Sequence, residues 1–213
     1  MKTDDWVVLL ATGAGSVQRH AVARRYGAAV AVGVIAAAVL MFGLLGVRPD
    51  LAEASRLPMF WAKIAYVAAL GVASLLAVSR LSRPGGRLGR VPAMLTVPVA
   101  AMWVLAASVL ASAEPELRAD LVLGSTWAKC SSLIAMLSVP TFVANLWAMR
   151  GLAPTRLPLA GATAGLLSGT VGALVYCLHC SELAAPFIGS WYLLGMLIPA
   201  AAGAWLGPRM LRW

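Results

Sequence analysis

The sequence predicts an all-α integral membrane protein with six transmembrane helices. Hydrophobic residues make up 61% of the 213 positions and charged residues only 12%, against about 45–50% and 25% in soluble domains. Six uncharged or nearly uncharged stretches each reach the roughly 20 residues that a helix needs to cross a bilayer core. The breaks between them hold charge, proline or both. The same arithmetic excludes a soluble globular domain and a disordered chain, and three cysteines are too few for a disulfide-stapled secreted scaffold.

The expected spans are residues 27–47, 57–79, 91–113, 130–149, 157–178 and 187–206, with Lys63 the one charge inside any of them. Alanine, glycine and leucine dominate these stretches, which suits helices whose backbones approach closely in lipid. No cleaved signal peptide is expected, because the first apolar run starts late and is long enough to span. Residues 1–25 are expected to form a cytoplasmic N-terminal segment and residues 26–213 the transmembrane domain. Placing both termini and the second and fourth connections on one side gathers twelve basic residues there, with Asp4 and Asp5 as the only acids. The other side holds five basic residues, counting Lys63 near its edge, and six acidic ones. This asymmetry places both termini in the cytoplasm. The net charge of +9 is then a topology signal, and direct nucleic-acid binding loses its main support.

A weak repeat runs along the chain. Phe60-Trp61-Ala62-Lys63, Thr126-Trp127-Ala128-Lys129 and Ser190-Trp191-Tyr192-Leu193 mark the outward ends of the even spans, and Arg25, Arg90 and Arg156 precede the odd ones. Three like-oriented helical hairpins around a pseudo-threefold axis would give this pattern. An interfacial aromatic belt would also give the three tryptophans.

Few side chains inside the spans carry chemistry. Lys63 lies near the outward end of its helix and is expected to snorkel to the interface. The spans contain no Asp or Glu, which disfavours ion-coupled transport. No P-loop, dinucleotide fingerprint or nucleophile–base arrangement is present, and His20 reads as a solvated residue. The cysteines are more informative. Cys130 opens the fourth span, while Cys177 and Cys180 close the fifth, with His179 between them. Counting from the short fourth connection, each thiol lies 20–23 residues away, about 30 Å of helix. All three therefore reach the same periplasmic boundary, where facing thiols can form a disulfide or share a thiophilic metal. No cofactor is obligatory. Met59 and Met136 are packing residues that secondarily offer thioether sulfur.

The N-terminal segment is the other informative stretch. Thr3 suits a helix cap with Asp4 and Asp5 in the first turn. Trp6, Leu9 and Leu10 follow on one face. An amphipathic membrane anchor normally carries Lys and Arg on its polar face. Two aspartates there favour docking against a basic protein surface instead.

The chain resembles the NrsF-like family of six-helix membrane anti-sigma factors. The resemblance rests on Met1-Lys2-Thr3-Asp4-Asp5, Gly46-Val47-Arg48-Pro49-Asp50-Leu51, Leu57-Pro58-Met59-Phe60-Trp61-Ala62-Lys63 and Leu123-Gly124-Ser125-Thr126-Trp127 with Cys130. It continues through Arg150-Gly151-Leu152-Ala153-Pro154-Thr155-Arg156, Leu178-His179-Cys180-Ser181-Glu182, Ala185-Pro186-Phe187 and Trp191-Tyr192-Leu193-Leu194-Gly195-Met196. It implies a non-enzymatic inhibitor that holds an extracytoplasmic-function sigma factor at the inner membrane and releases it under metal or oxidative stress. The family's paired cysteines carry over to Cys130 and Cys180, whereas Cys177 stands outside that pattern. The competing reading is a membrane thiol/quinone oxidoreductase using Cys177-x-x-Cys180. That chemistry generally relays electrons between two cysteine pairs, which three cysteines cannot supply.

Overall fold

A computed structural model describes residues 3, 5–7, 12, 21–150, 152 and 154–212. Among these, six helices are long and apolar enough to cross a membrane. They are α1 (Ala21–Leu44), α2 (Pro58–Leu81), α3 (Val91–Ser112), α4 (Trp127–Arg150), α5 (Leu157–Tyr176) and α6 (Leu193–Met210). The sixth span is longer than α6 alone. It starts with a helical turn at Ala185–Phe187 and passes through a π-helical turn at Ile188–Tyr192 before joining α6. Short helices at Leu51–Ala54 and Arg118–Leu123 occupy the first and third connections.

Helix ends differ from the expected spans by a few residues. α1 begins well before residue 27, so that Arg24 and Arg25 lie on its first turns. The helical pattern therefore runs on past the apolar stretch at the charged end, as backbone hydrogen bonding allows where side chains reach headgroups. α5 stops at Tyr176, and Cys177 to Cys180 form a tight turn in which the amides of Cys177, Leu178, His179 and Cys180 bond back to carbonyls of 173–176.

α5 is the central helix. It packs against α1, α2, α4 and α6, and its apolar stretch is 72% buried, against 11% for that of α3 at the edge of the bundle. Small residues make this possible. A Cβ on Gly161 would overlap the carbonyl of Gly203, and one on Gly203 would overlap that of Gly161. Gly165 lies in the same way against Pro199, and a Cβ on Gly172 would come 2.7 Å from the Ile134 carbonyl of α4. Such backbone-to-backbone approach is how helices gain packing energy in lipid, where apolar burial alone offers none.

The three expected hairpins are not packed alike. α5 and α6 form the tightest pair, α1 and α2 meet only marginally, and α3 leans on α2 and the Ala185–Tyr192 segment instead of on α4. Trp127 and Trp191 pack together with ring centroids 5.4 Å apart. Trp61 stands apart, its indole N–H donating to the Ser55 carbonyl.

Two buried clusters occupy the two ends of the bundle. One includes Tyr66, Cys130, Tyr176, Cys177, Cys180, Phe187 and Tyr192. The other includes Tyr26, Val78, Leu81, Met149 and Ala160, at the end where Arg24, Arg25, Arg80 and Arg150 lie. Between them Asn145 of α4 donates to Ser168 Oγ of α5 at 3.0 Å.

Candidate functional site at the cysteine end

The three cysteines are all buried and belong to one packed cluster. The α4–α5 hairpin brings the start of α4 alongside the turn after α5, so Cys130 and Cys180 are direct neighbours. Cys177 points instead toward Tyr192. The close pair is thus the one between helices and not the Cys-x-x-Cys within one turn. The Cys180 thiol is held below the ordinary thiol range, first by the Cys130 thiol hydrogen-bonded to it and further by the nearby Lys63 ammonium, against the upward push of burial.

Lys63 corrects the expectation from sequence. It does not snorkel; its side chain is fully buried. Nζ donates to the carbonyls of Cys180 and Glu182, both at 3.1 Å, and sits 5.5 Å from the Tyr192 ring centroid and 5.9 Å from that of Phe60. The outward turns of α2 are roofed by the 177–182 segment, so the ammonium meets carbonyls and π-faces where water was expected.

Arg48 is the second cation here, named in the sequence only within a stretch of the family resemblance. Its guanidinium donates to the Cys180 carbonyl at 3.2 Å and forks onto Asp50 through Nε at 2.7 Å and Nη2 at 2.6 Å. The Arg48 amide bonds to the Leu178 carbonyl, and His179 Nδ1 bonds to the Gly46 carbonyl at 2.9 Å. That contact fixes His179 on the first connection, stacked near Tyr176 at 5.6 Å. Arg48 in turn holds the Asp50 carboxyl below its ordinary range.

Glu182 closes the clasp from the other side. Its carboxylate accepts the Ser125 amide at 2.8 Å and the Ser125 hydroxyl at 2.7 Å. Gly124 permits this with φ of 57°, and a Cβ there would press into the Glu182 carboxylate. The π turn does the rest: Ser131 of α4 donates to the Trp191 carbonyl, Trp191 Nε1 donates to Val122, and Tyr192 turns inward. Among the described residues, the buried hydroxyls of Tyr66, Thr126 and Tyr192 have no hydrogen-bond partner.

A cleft of about 420 Å³ reaches this site, lined among others by Arg48, Asp50, Thr126, Tyr176, His179 and Cys180. Cys130 and Cys177 do not line it. No three His, Cys, Asp or Glu side chains among the described residues are grouped to hold a metal ion. Two adjacent thiols suit a soft, low-coordinate ion and not a closed four-ligand zinc site. Of the expected docking residues, Asp5 and Trp6 are helical and exposed, while Asp4, Leu9 and Leu10 lie outside the described residues.

The molecule is thus an all-helical protein among its described residues, with six helices long and apolar enough to cross a membrane, a clasped thiol pair at one end and an arginine-rich surface at the other. Residues 10–213 match the NrsF family, described as negative regulator of sigma F, and the chain belongs to that family. It is 57% identical to the probable anti-sigma-F factor NrsF of Azospira oryzae over 213 residues, covering both chains fully. It is 43% identical to the anti-sigma-F factor NrsF of Caulobacter vibrioides over 215 residues, again at full coverage. No solved structure matches the chain.

Proposed function

We propose that this chain is a membrane-bound anti-sigma factor. It holds a sigma factor of the extracytoplasmic-function type at the cytoplasmic face of the inner membrane and releases it when the periplasmic thiol pair is engaged. Full-length identity to two anti-sigma-F factors supports the regulatory half. The single observation that carries the sensing half is the adjacency of Cys130 and Cys180 between two packed helices.

Engagement takes one of two forms. A thiophilic metal is gripped by both sulfurs with loss of their protons. Alternatively an oxidant accepts two electrons and the two thiol protons leave as the S–S bond forms. Either shortens the distance between the start of α4 and the turn after α5. Arg48, Lys63 and Glu182 tie that turn to the first connection, α2 and the loop before α4, so the shift is passed to those elements. Packed helices answer such shifts by moving between discrete arrangements.

The test pairs repression with response. Cys130→Ser and Cys180→Ser should each keep the sigma factor bound to solubilised membranes and silence induction by metal or oxidant. Cys177→Ser should have the smaller effect. Normal induction in the Cys130→Ser/Cys180→Ser double variant would overturn the sensor. Failure of the wild-type protein to capture the sigma factor would overturn the anti-sigma reading.

A further inference from the structure

A groove of about 610 Å³ lies between α1 and α4 at the arginine-rich end, far from the cysteines. Its size is that of a small-molecule site, about 300–1,000 Å³. Ala28, Ala29, Ala144 and Ala148 form its floor, Val32 and Trp147 its walls, and Arg24, Arg25 and Arg150 its mouth. The helices close against each other deeper in the bundle, where Gly33 packs on Thr141 with no room for a Cβ. Alanines on the basic side of that contact leave the groove open.

We propose that this groove holds one anionic phospholipid, its phosphate on the arginines and an acyl chain along the alanine floor. Depth decides the occupant. With α1 crossing the membrane as in the proposed function, on which this inference rests, the eight residues from Arg24 to Val32 cover about 12 Å of helix and set the inner half of the groove within the hydrocarbon layer. An acyl chain reaches there, and a cytosolic protein does not. Trp147 is 76% exposed and Val32 61%, so both walls offer apolar area that only lipid satisfies at that depth. Charge decides the headgroup. Arginine forks match phosphate oxygens, and basic pockets between helices select anionic lipids over zwitterionic ones. Arg150 is held at the mouth by its Nε donating to the Met210 carbonyl at 3.2 Å. The bound lipid would brace the start of α1, which follows the N-terminal segment expected to dock against a protein surface.

The test is lipid retention by the full-length protein in detergent, read by native mass spectrometry after adding equal phosphatidylglycerol and phosphatidylcholine. One phosphatidylglycerol should be retained about tenfold over phosphatidylcholine, equivalent to about 1.4 kcal/mol. Arg25→Gln/Arg150→Gln should erase the preference, and Ala28→Leu should weaken retention of both lipids by filling the floor. Arg87→Gln/Arg212→Gln removes two exposed arginines that do not line the groove and should change nothing. Equal retention of the two lipids by the wild type would show that the arginines select no headgroup, and equal loss in both arginine pairs would show general basic attraction; either result would overturn the site. So would a groove-arginine variant that keeps its lipid but loses the sigma factor, which would assign the groove to the protein partner.

Discussion

Lys63 shows how local context reverses a residue's role. A lysine near a helix end at a membrane surface ordinarily reaches water. Here the 177–182 turn covers it, and two carbonyls and two rings replace the water. Lys63→Met keeps most of the volume and removes the donors. The orphaned Glu182 carbonyl costs about 1–3 kcal/mol, partly offset because an ammonium need no longer be buried. A modest drop in thermal midpoint is expected, with a clear rise in alkylation of Cys180 as the turn loosens. An unchanged alkylation rate would show that Arg48 and Glu182 hold the turn without Lys63. In the wild type, Cys180 should react first with a small maleimide, since it alone of the three thiols lines the cleft. Mass mapping that found Cys177 modified first would contradict that access route. The Arg48–Asp50 fork is also pH-dependent. Asp50 is held below its ordinary range, so the fork is fully formed above the carboxyl's unperturbed value and is lost as pH falls through the lowered one. Cys180 alkylation should accordingly rise on strong acidification less in Asp50→Asn than in the wild type, after correction for the thiol's own ionisation.

At the scale of elements, packing and polar bonding compete within α5. The Asn145–Ser168 bond lies in the bundle interior, yet side-chain hydrogen bonds between membrane helices average only about 0.6 kcal/mol. Gly161, Gly165 and Gly203 allow contact between backbones, where an added side chain has no flexible neighbour to displace. Gly165→Val should therefore prevent a stable α5–α6 pair, while Asn145→Ala should cost under about 1 kcal/mol. Unfolding of the two variants in mixed micelles would rank them, and the reverse order would mean that the polar layer, not the glycine seam, holds the centre. The N-terminal segment, proposed to dock the sigma factor, belongs to this scale too. Trp6 is exposed, which leaves its ring open to a partner. Trp6→Ala with Leu10→Ala should leave the sigma factor free at normal protein level, since buried aromatic anchors commonly cost 2 kcal/mol or more when truncated. Retained repression would remove that face from the interface.

For the molecule as a whole, the separation of a thiol end from an arginine end matches the expected charge asymmetry, and reporter fusions can test its direction. Fusions at Arg83 and Glu116 should report opposite compartments, with the arginine end inside. The same compartment for both would break the six-span topology.

The sequence by itself determined the number of long apolar helices, their approximate limits and the gathering of three cysteines at one end, because helix length and hydropathy leave little choice. It also marked, as separate segments of the family resemblance, the stretches around Arg48, Lys63, Gly124, Cys130 and Cys180. Only the tertiary structure decided that these five meet in one clasp. The hairpin repeat suggested three equivalent units, but packing follows backbone approach, and the glycines that bring helix backbones together lie mainly on α5 and α6. Hydropathy measures whether a residue tolerates lipid, and not which neighbour it faces. The burial of Lys63 under a turn more than a hundred residues away depends on that neighbour alone, whereas the pairing of Cys130 with Cys180 was already implied by the family resemblance.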